Sequence, residues 1–115
     1  MPVRIYHNPR CSKSRHVLQL LQERGLQPEI IEYLKTPPST DELRHILALL
    51  GMQPRALMRR NERAYSEAGL ADPSLDDAAL IQAMVDHPIL IERPIVLARG
   101  KAALGRPPKN VLEIV

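Results

Sequence analysis

The sequence predicts an α/β fold in which a βαβ unit and a ββα unit share one four-stranded mixed sheet, with a helical insertion between them. Three observations predict it. A strand pattern at residues 3–6, a helix pattern at 12–24 and a second strand pattern at 29–33 follow one another directly. Strand, helix, strand at this spacing implies two parallel strands joined by a right-handed crossover. Near the other end, two short apolar runs at 95–98 and 101–104 flank Arg99-Gly100, an imperfect but usable hairpin signal. Between the two units, the apolar residues recur at helical spacing.

The elements follow in order. The first helix carries Val17, Leu18 and Leu21 on one face and stops at Gly25, where a residue free to take positive φ ends a helix well. Pro28 precedes the second strand, and Thr36-Pro37-Pro38 ends it. Ser39 and Glu42 form a capping box ahead of the stripe Leu43, Ile46, Leu47 and Leu50, which Gly51 closes. Short helices are predicted at 54–60 and 62–68, and a longer one capped by Ser74 and running to Asp86, with Leu80, Ile81 and Met84 inward and His87-Pro88 as its stop. Pro107-Pro108 opens a final helix bearing Val111, Leu112 and Ile114.

Length and composition fit a single domain, residues 1–115, with the helical insertion at 39–88. A chain of 115 residues, 44% of them apolar, can bury about two-thirds of its unfolded surface and needs no metal or disulfide for stability. Composition does not shift along the chain, and no linker or repeat interrupts it. No apolar run approaches membrane-spanning length, and a lone cysteine fits a reducing compartment, so a cytoplasmic protein without membrane contact is expected. The net charge of +3 is spread along the chain, with only three tyrosines for aromatics. A nucleic-acid surface would combine a clustered basic stripe with stacking residues, so no nucleic-acid partner is expected. A small anion suits the scattered pattern better.

Chemistry concentrates at Cys11, the one cysteine, in His7-Asn8-Pro9-Arg10-Cys11-Ser12-Lys13-Ser14-Arg15. The run lies between the first strand and the first helix, at the strand edge where open α/β sheets place their sites. A helix N-terminus offers unpaired N–H groups and partial positive charge, both of which favour a thiolate, and Arg10 and Lys13 add to that field. A free thiol of pKa ~8.5 is a few per cent thiolate at neutral pH; lowering the pKa by about two units makes roughly three-quarters of it nucleophile. Most free cysteines are small buried hydrophobes. The polar and charged flanks here favour an accessible, reactive sulfur instead. His7 either raises the thiolate content, orients the loop, or is simply hydrogen-bonded; Ser14, one turn into the helix, can donate to the sulfur. His16, His45 and His87 make no metal-ligand pattern with neighbouring carboxylates, and no metal is expected.

Four motifs occur in order: His-Asn-Pro-x-Cys-x-x-Ser-Arg at 7–15, Arg-Ala-Leu-Met-Arg-Arg-Asn at 55–61, His-Pro-Ile-Leu-Ile-Glu-Arg-Pro-Ile-Val at 87–96, and Gly-Arg-Pro-Pro at 105–108. Together they resemble the glutaredoxin-coupled arsenate reductase family, ArsC-like proteins of the thioredoxin-fold superfamily, over essentially the whole chain. The resemblance implies a thioredoxin-like fold with a cis-proline at Pro94 facing the thiol. It also implies that Cys11 attacks arsenate while Arg59, Arg93 and Arg106 hold the oxyanion, with His7 and Ser14 as the family's active-site histidine and serine. On the residues alone, Arg93 and Arg106 are expected near the edge that carries Cys11, whereas Arg55 and Arg60 compete with Arg59 and only the resemblance selects it. The implied partners are arsenate or a similar small oxyanion, glutathione as co-substrate and glutaredoxin, with no bound cofactor.

The oxyanion chemistry is consistent with this. A thiolate approaches an anion only if cationic donors neutralise its oxygens, and arginine offers paired donors on a permanent charge. Two alternatives stay open, a glutathione-dependent oxidoreductase acting on another substrate and a transcription-regulator-like interaction protein of the same fold. A simple disulfide exchanger does not require three oxyanion donors, and Cys11-x-x-Ser14 cannot close the internal disulfide that such regulators commonly carry. A tyrosine-phosphatase-like reductase is disfavoured because its Cys-x5-Arg loop would need arginine where Val17 stands.

Overall fold

In a computed structural model describing residues 2–115, the chain forms two compact units, Met1–Thr36 with Arg93–Val115, and Pro37–Glu92. The first contains the sheet. Strand β1 (Val3–His7) pairs in parallel with β2 (Glu29–Glu32) and antiparallel with β3 (Ile95–Ala98), which pairs antiparallel with β4 (Lys101–Leu104). The order β2-β1-β3-β4 makes β1 an interior strand, and Ile5 and Tyr6 are accordingly almost completely buried. Strand β2 lies at an edge and is more exposed.

Helix α1 (Ser12–Glu23) completes the crossover between β1 and β2. Its Val17 and Leu21 bury against Val3, Ile5, Val96, Ala98, Ala103, Val111 and Ile114. This apolar cluster fixes the base of α1 on the sheet. Its first turn is thereby held at the carboxyl end of β1. The β3–β4 hairpin turns at Arg99 and Gly100 with φ of 56° and 73°, the pair of positive angles that a tight two-residue turn requires.

The second unit is helical: α2 (Thr40–Leu50), a 3₁₀ turn (Pro54–Leu57), α3 (Arg63–Glu67), α4 (Asp77–Asp86) and a second 3₁₀ turn (Pro88–Leu90). Ser39 Oγ accepts from the Glu42 N–H at 3.1 Å, so the predicted N-cap forms, and Gly51 ends α2 in the left-handed region. Leu43, Ile46 and Leu47 of α2 and Leu80, Ile81 and Met84 of α4 are buried, and the two helices pack together.

Three local expectations change. The predicted helix at 54–60 is only the 3₁₀ turn, because Met58 is extended and bridges Ile91 in antiparallel fashion. Ser74 does not cap α4. It donates its N–H and its hydroxyl to Asp72 Oδ1, while Asp76 accepts from the Ala79 N–H at 2.9 Å. The last helix is 3₁₀, Pro108–Glu113, and follows a cis Arg106–Pro107 peptide. The first three elements agree with expectation to within a residue, β1 reaching His7, β2 ending at Glu32 and α1 at Glu23.

Candidate active site

Cys11 is the N-cap of α1, in extended conformation, and half-buried. A tight turn precedes it, with the Cys11 N–H donating to the Asn8 carbonyl at 3.0 Å, and the Arg15 N–H donates back to the Cys11 carbonyl at 3.0 Å. The side chain of Arg15 also reaches over the turn, its Nη1 donating to the Pro9 carbonyl at 2.9 Å. The helix therefore braces the loop that carries the sulfur.

Burial pushes the Cys11 thiol up. Opposing it are the Ser14 backbone N–H, the charge of Arg93, the Lys13 backbone N–H and a hydrogen bond from the Arg93 guanidinium, and the net shift is below the ordinary value. The N–H groups of the helix N-terminus act in the expected direction, with Arg93 as the cation. Arg10 and Lys13 carry exposed side chains; Arg93 supplies the charge, and Lys13 acts through its amide.

Ser14 is fully buried and reaches the sulfur by its backbone, not by its hydroxyl. The hydroxyl lies 2.6 Å from His7 Nδ1 and accepts from the Asn8 N–H at 3.1 Å. Burial lowers the His7 pKa; Glu32 opposes the shift and Arg15 reinforces it. The imidazole thus ties β1 to the start of α1 through Ser14. His7 is hydrogen-bonded, and its partner Ser14 also holds the Asn8 N–H of the cysteine loop.

Arg93 enters from the start of β3, preceded in the chain by Glu92 and followed by Pro94, with the Arg93–Pro94 peptide cis. Arg106 Nε donates to the Arg93 carbonyl at 3.3 Å, so the two arginines expected at this edge are linked through the backbone of one of them. Arg106 is held in turn by a 2.8 Å bond from its N–H to the Leu104 carbonyl, and its carbonyl accepts from Asn110 Nδ2 at 3.2 Å.

Arg59 belongs to the helical unit. Its Nη1 lies 2.8 Å from Glu62 Oε1 and its Nε 3.7 Å from Glu92 Oε1, while its N–H donates to the Leu90 carbonyl at 2.7 Å. The three arginines of this motif differ in their surroundings. Arg55 is committed to structure, donating to the Tyr65 hydroxyl and to the carbonyls of Leu70 and Asp72. Arg60 is exposed.

Gly105 packs directly against the Pro94 ring and Val17 of the first helix. Its N–H donates to the Pro94 carbonyl at 2.9 Å, and a Cβ built on it would lie 2.8 Å from both Pro94 Cγ and Val17 Cγ2. A glycine between a strand end and a motif arginine is itself a signal for close backbone approach. Gly105→Ala is expected to displace the Pro94 ring or the first helix, lowering stability by about 1–3 kcal/mol. Thermal denaturation checks this, and an unchanged midpoint would show that the site yields without cost.

Among the described residues, no group of three or more His, Cys, Asp and Glu side chains is placed to hold a metal ion, and no helix is long and apolar enough to cross a membrane.

The sheet order and a cysteine at the N-cap of the first helix fit a thioredoxin-like fold. Residues 6–114 match the ArsC family, and the chain belongs to that family. YfgD of Escherichia coli K12, a protein of uncharacterised function, is 60% identical over 114 residues, covering 98% of this chain and 96% of its own. An arsenate reductase of Neisseria meningitidis serogroup A is 54% identical over 110 residues, covering 95% and 94%. In structure, the arsenate reductase of Vibrio cholerae matches with a TM-score of 0.97 at 52% identity, covering 100% of this chain and 98% of that one.

Proposed function

We propose that the protein is an arsenate reductase in which the Cys11 thiolate attacks arsenate and external thiols complete the reduction. The observation that carries this reading is Cys11 at the N-cap of the first helix, where the Ser14 and Lys13 N–H groups and Arg93 favour its thiolate, with the Arg93 carbonyl in turn accepting from Arg106 Nε. A cation shared between thiolate and oxyanion removes the repulsion that otherwise keeps two anions apart. Membership of the ArsC family and the arsenate reductases among its relatives support the choice of oxyanion.

In this reading Arg59, Arg93 and Arg106 hold the arsenate oxygens. Arg59 already pairs with Glu62 and Glu92, so an oxyanion must compete with two carboxylates for it. Cys11 Sγ forms a bond to arsenic with loss of water, and glutathione adds its sulfur with loss of a second water. The thiol of glutaredoxin attacks the glutathione sulfur, the electron pair of that As–S bond stays on arsenic, and As(V) becomes As(III). Hydrolysis of the remaining bond releases arsenite and returns Cys11. The sum is arsenate plus two thiols to arsenite, one mixed disulfide and water. External thiols are required because the chain holds no second cysteine.

The test is arsenite release by purified protein supplied with arsenate, glutathione and glutaredoxin. Turnover is expected to collapse when either thiol donor is omitted. Sustained arsenite production with a thioredoxin system alone would overturn the route while leaving Cys11 essential.

A further inference from the structure

Beside the cysteine loop lies a cavity of about 220 Å³ that the chemistry above does not use. One wall is His7 and the turn Asn8–Arg10; the other is Glu32, Leu34 and Lys35, at the end of β2. The wall formed by Asn8 to Arg10 is the turn whose carbonyl at Asn8 holds the Cys11 N–H, so the cavity and the sulfur share a support. Arg10 and Lys35 bring two cations to the rim. Glu32 brings one carboxylate, 3.5 Å from the Lys35 ammonium. Leu34, 40% exposed, adds an apolar side chain to the cavity lining.

We propose that this cavity seats the γ-glutamyl end of glutathione, an inference that rests on glutathione being the thiol that attacks the Cys11 adduct. That end carries a carboxylate and an ammonium on one carbon. The mixed-sign rim matches it: the carboxylate pairs with Arg10 and Lys35, and the ammonium with Glu32, which exchanges its surface pairing to Lys35 for the ligand. The volume is below the ~300–1,000 Å³ of pockets that enclose a whole drug-sized ligand. It suits one end of a small peptide. With the γ-glutamyl end in the cavity, the next residue of glutathione is its cysteine, and the turn that walls the cavity is the one that leads into Cys11.

S-methylglutathione, which binds without reacting, separates this site from the turnover chemistry. Titrated into the full chain and followed by amide NMR, it is expected to shift Asn8, Arg10, Glu32, Leu34 and Lys35 and to saturate. The variant R10Q/K35Q is expected to bind it at least tenfold more weakly. S-methylcysteinylglycine, which lacks the γ-glutamyl group, is expected to bind the wild type as weakly as the variant, with no difference between the two proteins. In turnover, the variant raises the KM for glutathione with kcat recovered at saturation. Arg24→Gln, on the exposed end of the first helix, serves as the control. Shifts confined to the Pro94 and Gly105 side, or equal affinity of wild type and variant for S-methylglutathione, would overturn the site while arsenite release still required glutathione. Turnover that ignores glutathione would overturn both the route and the site.

Discussion

Cys11→Ser is expected to abolish arsenite formation while leaving the fold intact. The loss is chemical: an alcohol is far less acidic than a thiol, so the N–H groups of Lys13 and Ser14 and the Arg93 guanidinium that favour a thiolate do not produce an alkoxide. The side chain is half-buried at a helix N-cap, and serine is itself a favoured cap, so the backbone has no reason to move. Circular dichroism and thermal denaturation are expected to match the wild type. Residual turnover comparable to wild type would remove the nucleophile from the account.

Arg93→Ala is expected to produce the second largest loss, because one side chain serves two functions. It hydrogen-bonds the sulfur and contributes charge to it, and in the proposed reaction it also holds an arsenate oxygen. Losing a charge-assisted contact costs on the order of 1.5–3 kcal/mol, or about 10- to 150-fold in kcat/KM, and the fall in thiolate fraction at neutral pH adds to it. Arg93→Lys is expected to recover part of the thiolate effect and less of the oxyanion effect, since an ammonium keeps the charge but loses the planar fork. Arg24→Ala, on the solvent face at the end of the first helix, is expected to do neither. Equal kinetics for Arg93→Ala and Arg24→Ala would show that the cation facing the sulfur has no part in the reaction.

Much of this site was legible in the sequence because its signals are local. A lone thiol between a strand pattern and a helix pattern, among polar neighbours, already implies an N-terminal helix position, and the structure places Cys11 there. The hairpin was legible through Arg99-Gly100, and α2 through Ser39, Glu42 and Gly51. Features set by distant partners were not. That Arg93 and not Arg10 or Lys13 acts on the sulfur depends on where β3 begins relative to β1, a pairing no local pattern encodes. Ser14 was expected to offer its hydroxyl, but that group is taken by His7 and Asn8 across the start of α1, leaving the backbone N–H for sulfur. The truncation of the helix at 54–60 similarly comes from the bridge between Met58 and Ile91, residues far apart in the chain. Arg55, one of three candidates in a single motif, is diverted to carbonyls of the Leu70–Asp72 segment, and nothing in its own neighbourhood announces that.

The central claim is that Cys11 is held as a thiolate by the helix N-terminus together with Arg93. Its most direct test is the rate of Cys11 alkylation as a function of pH, measured on wild type and on Arg93→Gln. A lowered folded-state pKa means that the thiolate persists as pH falls below the range of a free thiol, so the wild-type profile should have its midpoint below ~8.5, and Arg93→Gln should move that midpoint upward. A wild-type midpoint at ~8.5 or higher, unchanged in Arg93→Gln, would contradict it.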